Sequence, residues 1–391
     1  MLTINTLVRW LEALLVILSL CGSGYYVLCI WSGLRFLRRK LAQVCNFTPP
    51  ISILKPLRGM DPDIDVALRS HCQQDYPDYE IIFGVSDPDD PAIAEVERLT
   101  EEYPSHPIKL VVCDRVLGGN MKMSTLAQML PYARYEHLLV NDSDIRVEPD
   151  YLRRIVAPLA DPHSGLVTTL YRGIPDDTLP SRLEALGIST DFCGGVLSAI
   201  ELEGGPHFGL GSTLMFRRKN LQEIGGFEAL LNYLADDFEL GKRISALGLR
   251  NSLSDVVVET HIHAYSWRDF FDHQLRWARS VRDSRSWGYV GVGLTFGLPW
   301  ALLLLAMARA AVWVWPIFAS VLFLRFLLAV VVGANVAGDR RVLPWLWAVP
   351  LRDLCALVVW MAGFAGHTVV WRGQRFLLKD GRLTPLARKP G

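Results

Sequence analysis

The sequence predicts an α/β domain with a mostly parallel sheet, framed by transmembrane helices at both ends. Three observations carry this. Apolar residues make up 51% of the 391 residues and gather at the two ends. Between them, residues 46–286 alternate short unbroken apolar runs with stretches of helical spacing. Acidic residues stand directly behind several of those runs, where open α/β sheets bind their ligands.

The first apolar run, from about Trp10 to Trp31, is followed by Arg35, Arg38, Arg39 and Lys40. Some twenty apolar residues match the hydrocarbon core of a bilayer, and the basic cluster marks the cytoplasmic side. A cleaved signal peptide is the rival reading. The run is too long for one, lacks a small-residue cleavage pattern and ends in a basic stop. The C-terminal third holds three further apolar blocks, near 289–308, 311–333 and 343–371. The first two read as spans joined by a tight turn at Arg309. The third contains Pro344, Pro350 and the pair Arg352-Asp353. Charges at bilayer depth are expensive, so this block is expected to be partly interfacial or buried against protein. The basic tail (Arg372, Arg375, Lys379, Arg382) favours the cytoplasm, whereas three full spans behind a cytoplasmic domain would put it outside. The sequence leaves that conflict open. The segmentation is therefore an anchor at 1–40, the α/β domain at 41–265, an interfacial amphipathic helix at 266–287, two or three membrane segments at 288–372 and a basic tail at 373–391.

Within the middle, ISIL at 51–54 reads as a strand ended by Lys-Pro, and 61–74 as a helix. YEIIFGV at 79–85 is a buried strand, and a helix follows Pro91 because proline suits the first helical turn. IKLVV at 108–112 and EHLLV at 136–140 are strands around a helix at 121–130.

Forty basic and forty acidic residues cancel, with no basic stripe, so nucleic acid is not an expected partner. None of the seven cysteines forms a CxxC pair, and Cys21, Cys29 and Cys355 lie in apolar end segments. That argues against a disulfide framework or a zinc site and places the α/β domain in a reducing compartment.

The acids carry the chemistry. Ser86-Asp87-Pro88-Asp89-Asp90 follows the second strand, Asn141-Asp142-Ser143-Asp144 follows the fourth, and Ala235-Asp236-Asp237-Phe238 opens a helix. An Asp-x-Asp behind an apolar strand suits Mg²⁺ or Mn²⁺ shared with phosphate oxygens. Read singly, each has a plainer account: Asp142 and Asp144 as a solvated turn, Asp87 as an Asp-Pro turn, Asp236 and Asp237 as complements to a helix dipole. Lys122, after Asn120, is placed to reach a phosphate or is a surface lysine. Gly209 and Gly211 permit close backbone approach. His273-Gln274-Leu275-Arg276-Trp277 lies on an amphipathic stretch with Trp267, Phe270 and Phe271 that suits the membrane interface.

Together, KPLRGMDP (55–62), SDPDDPA (86–92), NMK (120–122), NDSDIRV (141–147), ADDFELGKR (235–243) and QLRW (274–277) resemble the ceramide glucosyltransferase family. DSDIRVEPDYLRRIVAPLADP (142–162) is similar to the bacterial branch associated with hopanoid lipids. The resemblance covers nearly the whole chain and implies the GT-A fold, a Rossmann-like mixed sheet that binds nucleotide-diphospho-sugars. It implies Asp87 at the base and ribose, and Asp142 with Asp144 at the metal and diphosphate. Asn120, Lys122 and Gln274 fall on the donor side. Asp237, preceded by Asp236, looks like the catalytic base, and Arg276 and Trp277 line the acceptor and diphosphate. The implied cofactor is Mg²⁺ or Mn²⁺, the donor a UDP-sugar, the acceptor a hydroxyl of ceramide or a hopanoid. The implied setting is the cytoplasmic face of a membrane, a bacterial inner membrane. Two departures stand out: His273 occupies a position the family fills with Gln or Arg, and ISTDFCGGV (188–196) lacks the histidine that eukaryotic members carry there. A processive polysaccharide synthase shares the carboxylates but needs more spans; a sugar-nucleotide-binding scaffold would not need the full set of acids.

Overall fold

Apolar runs become strands where the sequence expects them. A computed structural model describes residues 4–39, 46–371 and 374–386; Lys40, Cys45, Arg372 and residues 387–391 lie outside the described residues. The first four strands are β1 (Ile51–Leu57), β2 (Tyr79–Val85), β3 (Ile108–Val112) and β4 (His137–Val140), followed by β5 (Ile145–Arg146), β6 (Ser164–Pro175), β7 (Leu214–Arg217) and β8 (Arg250–Ile262). They form one sheet in the order β3-β2-β1-β4-β7-β6-β8-β5. The β1–β4 half is parallel; β7 joins it antiparallel to β4. Alternate residues face opposite layers, as the two-residue period demands. Ile53, Ile81, Phe83 and Leu139 enter one core, while Leu54, Ile82, Leu138 and Val140 enter the other.

Strand β1 runs past Lys-Pro, contrary to the expected stop. Beyond Leu54 it is paired with β2 alone, Pro56 lying opposite Gly84, while β4 ends at Val140. Pro56 thus occupies a strand edge, where its missing N–H is tolerated. Gly84 has its own reason: a Cβ there would lie 2.4 Å from the Met129 sulfur, so the Met121–Met129 helix packs directly on its backbone. The 61–74 helix is shorter than expected, Ile64–Cys72.

The chain forms two compact bodies, one comprising 39–177, 199–264 and 368–391, the other 1–38, 178–198 and 265–367. This departs from the sequence segmentation in two places. Residues 178–198 sit inside the expected α/β domain yet belong to the helical body. Residues 373–391, read as a basic tail, contain strands. β9 (Thr368–Trp371), β10 (Gln374–Lys379) and β11 (Arg382–Pro385) form an antiparallel sheet in the α/β body, with Val369, Phe376, Leu378 and Leu383 buried beneath it.

In the helical body the Ile4–Arg39 helix exposes Leu7, Leu14, Ile17 and Leu20. Midway along it, Gly22 meets Gly297 so closely that a Cβ would lie 2.2 Å from the facing Cα; small residues of this kind let membrane helices approach. Near its end, Gly33 faces Val331, Val332 and Val336. The Val349–Gly363 helix instead runs along Trp267–Ser284: Arg352 Nη2 donates to Gln274 Oε1 (3.1 Å) and Arg282 Nη1 to the Gly363 carbonyl (2.5 Å). Asp353 pairs with Arg325 (2.8 Å) rather than with its neighbour Arg352, and Arg325, 1% exposed, also reaches Asp191 (2.6 Å). The charges of the third apolar block are therefore buried against protein.

Candidate active site

Three expected site residues converge on one glycine. A Cβ on Gly211 would lie 3.1 Å from Asp142 Oδ2, 3.3 Å from Asp237 Oδ2 and 3.5 Å from Lys122 Nζ. Lys122 Nζ pairs with Asp142 Oδ1 at 2.6 Å and lies 3.6 Å from Asp236 Oδ2. Burial pulls the Lys122 pKa down, but Asp142 and Asp236 outweigh it and the ammonium is stabilised. The Gly211 N–H donates to Asp237 Oδ2 (2.8 Å) and the Phe238 N–H to Oδ1 (2.7 Å). The Asp236–Ala246 helix begins here, so both carboxylates meet its positive end. Burial, then repulsion from Asp236, still pushes the Asp237 carboxyl up to about 6. Burial, with repulsion from Asp142, raises Asp236 against the pull of Lys122.

Asp144 leaves the same loop and turns toward β8, where the Thr260 hydroxyl donates to it. Burial, then Asp142, raises its pKa to about 6. Ser143 Oγ donates to Asp61 (2.5 Å) in the loop behind β1. Lys55, 0% exposed, donates from Nζ to the Asp142 carbonyl (2.9 Å). Burial lowers its pKa to about 7 against the pull of Asp144 and Asp142. Asp87, exposed at the carboxyl end of β2, accepts only the local Asp89 N–H (3.0 Å) among the described contacts. Its neighbour Asp90 is the structural acid: both its oxygens accept from the Gly59 N–H (3.0 Å each), pinning the β1 loop. Lys55, Asp61 and Asp90 fall inside the motifs KPLRGMDP and SDPDDPA, which by themselves assign them no role, and Thr260 falls in no motif. Lys55 carries one further signal, a charge inside a buried strand.

Asn120, expected on the donor, is used up by the protein. It is 0% exposed, caps the next helix at the Met123 N–H, and donates to the Tyr233 carbonyl (2.8 Å) and Asp236 Oδ1 (3.0 Å). It positions the acid pair. The 231–235 loop is held from the other side by the C-terminal hairpin. Leu383 N–H donates to the Asn232 carbonyl (2.7 Å), Leu234 N–H to the Gly381 carbonyl (3.1 Å), and the Arg382 guanidinium stacks over Tyr233.

The expected signature lies on the Trp267–Ser284 helix of the helical body, opened by a Ser266/Asp269 capping box. Gln274, expected on the donor, has its amide engaged at both ends, by Glu184 Oε2 (2.8 Å) and Arg352. Arg276 is half-buried, and Trp277 packs on His273 and Phe192.

Among the described residues no group of three or more His, Cys, Asp or Glu side chains is arranged to hold a metal ion. The carboxylates present fit a different kind of site. Mg²⁺-type ions take one or two carboxylates and complete their shell with phosphate and water. The open cradle over Gly211 and the raised, cation-seeking Asp144 meet that description.

Known proteins resemble this chain in sequence and in fold. Ceramide glucosyltransferase 3 of Caenorhabditis elegans is 25% identical over 232 residues, 59% of this chain and 50% of the relative. The ceramide glucosyltransferase of Komagataella phaffii is 32% identical over 129 residues, 32% of this chain and 25% of the relative. The matches thus span half or less of those relatives. A mannosyltransferase of Pyrobaculum calidifontis, solved with GDP-Man and Mn²⁺, superposes with a TM-score of 0.56 at 22% identity, covering 90% of this chain and 99% of that one. It shows that the α/β body has the GT-A fold. With the family model matched over residues 14–384, nearly its whole length, this chain belongs to glycosyl transferase family 21.

Proposed function

We propose that this protein is an inverting glycosyltransferase that moves glucose or N-acetylglucosamine from a UDP-sugar to a hydroxyl of a membrane lipid, ceramide or a hopanoid such as bacteriohopanetetrol. The observation that carries it is the convergence of Asp237, Asp142 and Lys122 around Gly211. Asp237, fixed by two backbone N–H groups, accepts the proton of the acceptor hydroxyl as that oxygen attacks the anomeric carbon. Lys122 neutralises charge on the departing diphosphate. Asp142 and Asp144 are the residues that would hold Mg²⁺ or Mn²⁺, which supplies further positive charge at the diphosphate. Asp87 is assigned to the nucleotide, Arg276 and Trp277 to the acceptor side. The ceramide glucosyltransferases among the relatives support the lipid acceptor.

The protein is also proposed to be a multi-pass membrane protein with its α/β body in the cytoplasm. That body is one unit, so each excursion of the chain from it must cross the bilayer an even number of times. This argues against a crossing by Leu179–Glu203, although that helix is apolar enough. Between 264 and 368, the bent pair Ser286–Thr295 and Gly297–Met307 (53°) and the helix Val312–Val336 serve as the two crossings. The first meets the anchor at mid-length through Gly22 and the second ends beside Gly33. Leu346–Gly363, lying along the interfacial helix, does not cross. The tail then returns to the cytoplasm, as its charge prefers.

The deciding experiment is expression of the full chain in a host without glycolipids but supplied with ceramide or bacteriohopanetetrol, followed by mass spectrometry of the lipid extract. A new hexosyl- or N-acetylhexosaminyl-lipid is expected, and its mass separates hexose from N-acetylhexosamine and identifies the acceptor. No new species with either lipid would sink the reading.

A further inference from the structure

The helical body contains an imidazole held in one orientation for which nothing above has a use. His273 Nδ1 lies 3.1 Å from Glu184 Oε1. The Glu184 side chain is 1% exposed, whereas that of His273 is 21% exposed. The other Glu184 oxygen accepts from Gln274 Nε2 (2.8 Å), whose carbonyl accepts from Arg352, itself 6% exposed. With the buried carboxyl group turned to Nδ1, Nε2 is the ring nitrogen left for a ligand. Nε2 has no hydrogen-bond partner among the described residues. The ring packs with those of Tyr265 and Trp277, at 5.7 and 5.1 Å. The helix that presents it exposes Trp267, and Trp287 follows just beyond; aromatic residues of this kind mark the level of lipid headgroups.

Fixing one imidazole nitrogen with a buried acid is the arrangement by which proteins set the role of the other. An imidazole nitrogen beside two aromatic rings fits a hydroxyl on a largely apolar molecule, because a hydroxyl can give or take the hydrogen bond.

We propose that Glu184 and His273 form a binding site for a hydroxyl of a neutral membrane lipid, with Nε2 as its hydrogen-bond partner and Glu184 acting as the positioning residue. This rests on the lipid-acceptor reading above and adds to it the polar group that recognises the lipid. It also gives a physical role to the departure at position 273. Gln or Arg there would bring an amide or guanidinium, whereas His, held by Glu184, brings a single fixed ring nitrogen.

The test uses the full chain in nanodiscs and measures binding of ceramide, 1-deoxyceramide and 3-deoxyceramide. Wild type is expected to bind ceramide about tenfold more tightly than at least one deoxy analogue, the scale of one hydrogen bond. His273→Phe keeps a ring beside Tyr265 and Trp277 and is expected to bind all three alike. Glu184→Gln weakens the hold on the ring and should shrink the discrimination in the same direction, with thermal unfolding checking that both variants fold. Persistence of full discrimination in His273→Phe overturns the proposal, and so does equal binding of all three lipids by wild type. Discrimination that depends on His273 without any sugar transfer from UDP-glucose or UDP-N-acetylglucosamine would sink the transferase reading and leave this site standing.

Discussion

Asp237 sits where two opposing demands meet. A base must be ionised, yet burial and Asp236 push its carboxyl up to about 6. A raised carboxyl is a stronger base and still largely ionised at neutral pH. The acid pair then sets the lower limb of the pH profile: transfer is expected to fall as the pH drops through about 6, measured as initial rate against pH at saturating donor. Asp237→Asn should lower turnover by about 10²–10⁴-fold while leaving nucleotide binding nearly intact; turnover near wild type would remove Asp237 from the chemistry. Gly211→Ala tests the cradle. Its methyl would stand 3.1 Å from Asp142 Oδ2 and 3.3 Å from Asp237 Oδ2, so donor binding and turnover should both fall, read by calorimetry with UDP and by rate. At this scale the sequence was informative about residue type and poor about duty. Asp142, Asp237 and Lys122 meet as their motifs suggest, but Asn120 and Gln274 spend their amides on protein groups. A motif shows which side chains occur together, whereas hydrogen-bond capacity depends on neighbours brought in from distant segments.

The element that the sequence hid is the C-terminal hairpin. Gln374–Lys379 and Arg382–Pro385 are rich in basic residues and look like a solvated tail, yet Phe376, Leu378 and Leu383 alternate inward. Through Leu383 and Gly381 the hairpin holds the loop that delivers Asp236 and Asp237. Leu383→Pro removes the N–H given to Asn232, and is expected to lower turnover about tenfold, the weight of one backbone hydrogen bond at a site that needs precise placement. Truncation before Gln374 should lower it further. Wild-type rates after truncation would show the hairpin to be dispensable. The first four strands were legible because each is a short, mostly apolar run. β6 and β8 were not: at 12 and 13 residues they mix Thr, Arg, Asp and Glu with apolar positions.

For the whole molecule, the proposed even-crossing topology makes a sharp prediction. Cysteines placed at Gly204 and Asp380, both in the α/β body, should be shielded together from an impermeant maleimide in intact cells, while one at Ala310, between the two crossings, should be labelled. Labelling of Asp380 and Ala310 on the same side would overturn the topology. The buried Arg325, paired with Asp353 and Asp191, is a second test at this scale. Arg325→Met leaves acids without their cation and should cost ~3–5 kcal/mol of stability, seen in thermal unfolding in detergent, whereas adding Asp353→Leu should restore part of it.

What the sequence determined by itself is local and chemical: apolar runs long enough for a bilayer, strands short and apolar enough for a buried sheet, and acids behind those strands in an order that resembles one family. Each follows from residues close together in the chain, where periodicity and solubility act directly. The tertiary structure decided the rest. It assigned residues 178–198 to the helical body, returned the tail to the α/β body, gave Asp353 to Arg325, and set Glu184 against His273. Those outcomes depend on which distant groups satisfy each other once buried, and a buried charge or amide takes the partner that packing supplies, whatever stands beside it in sequence.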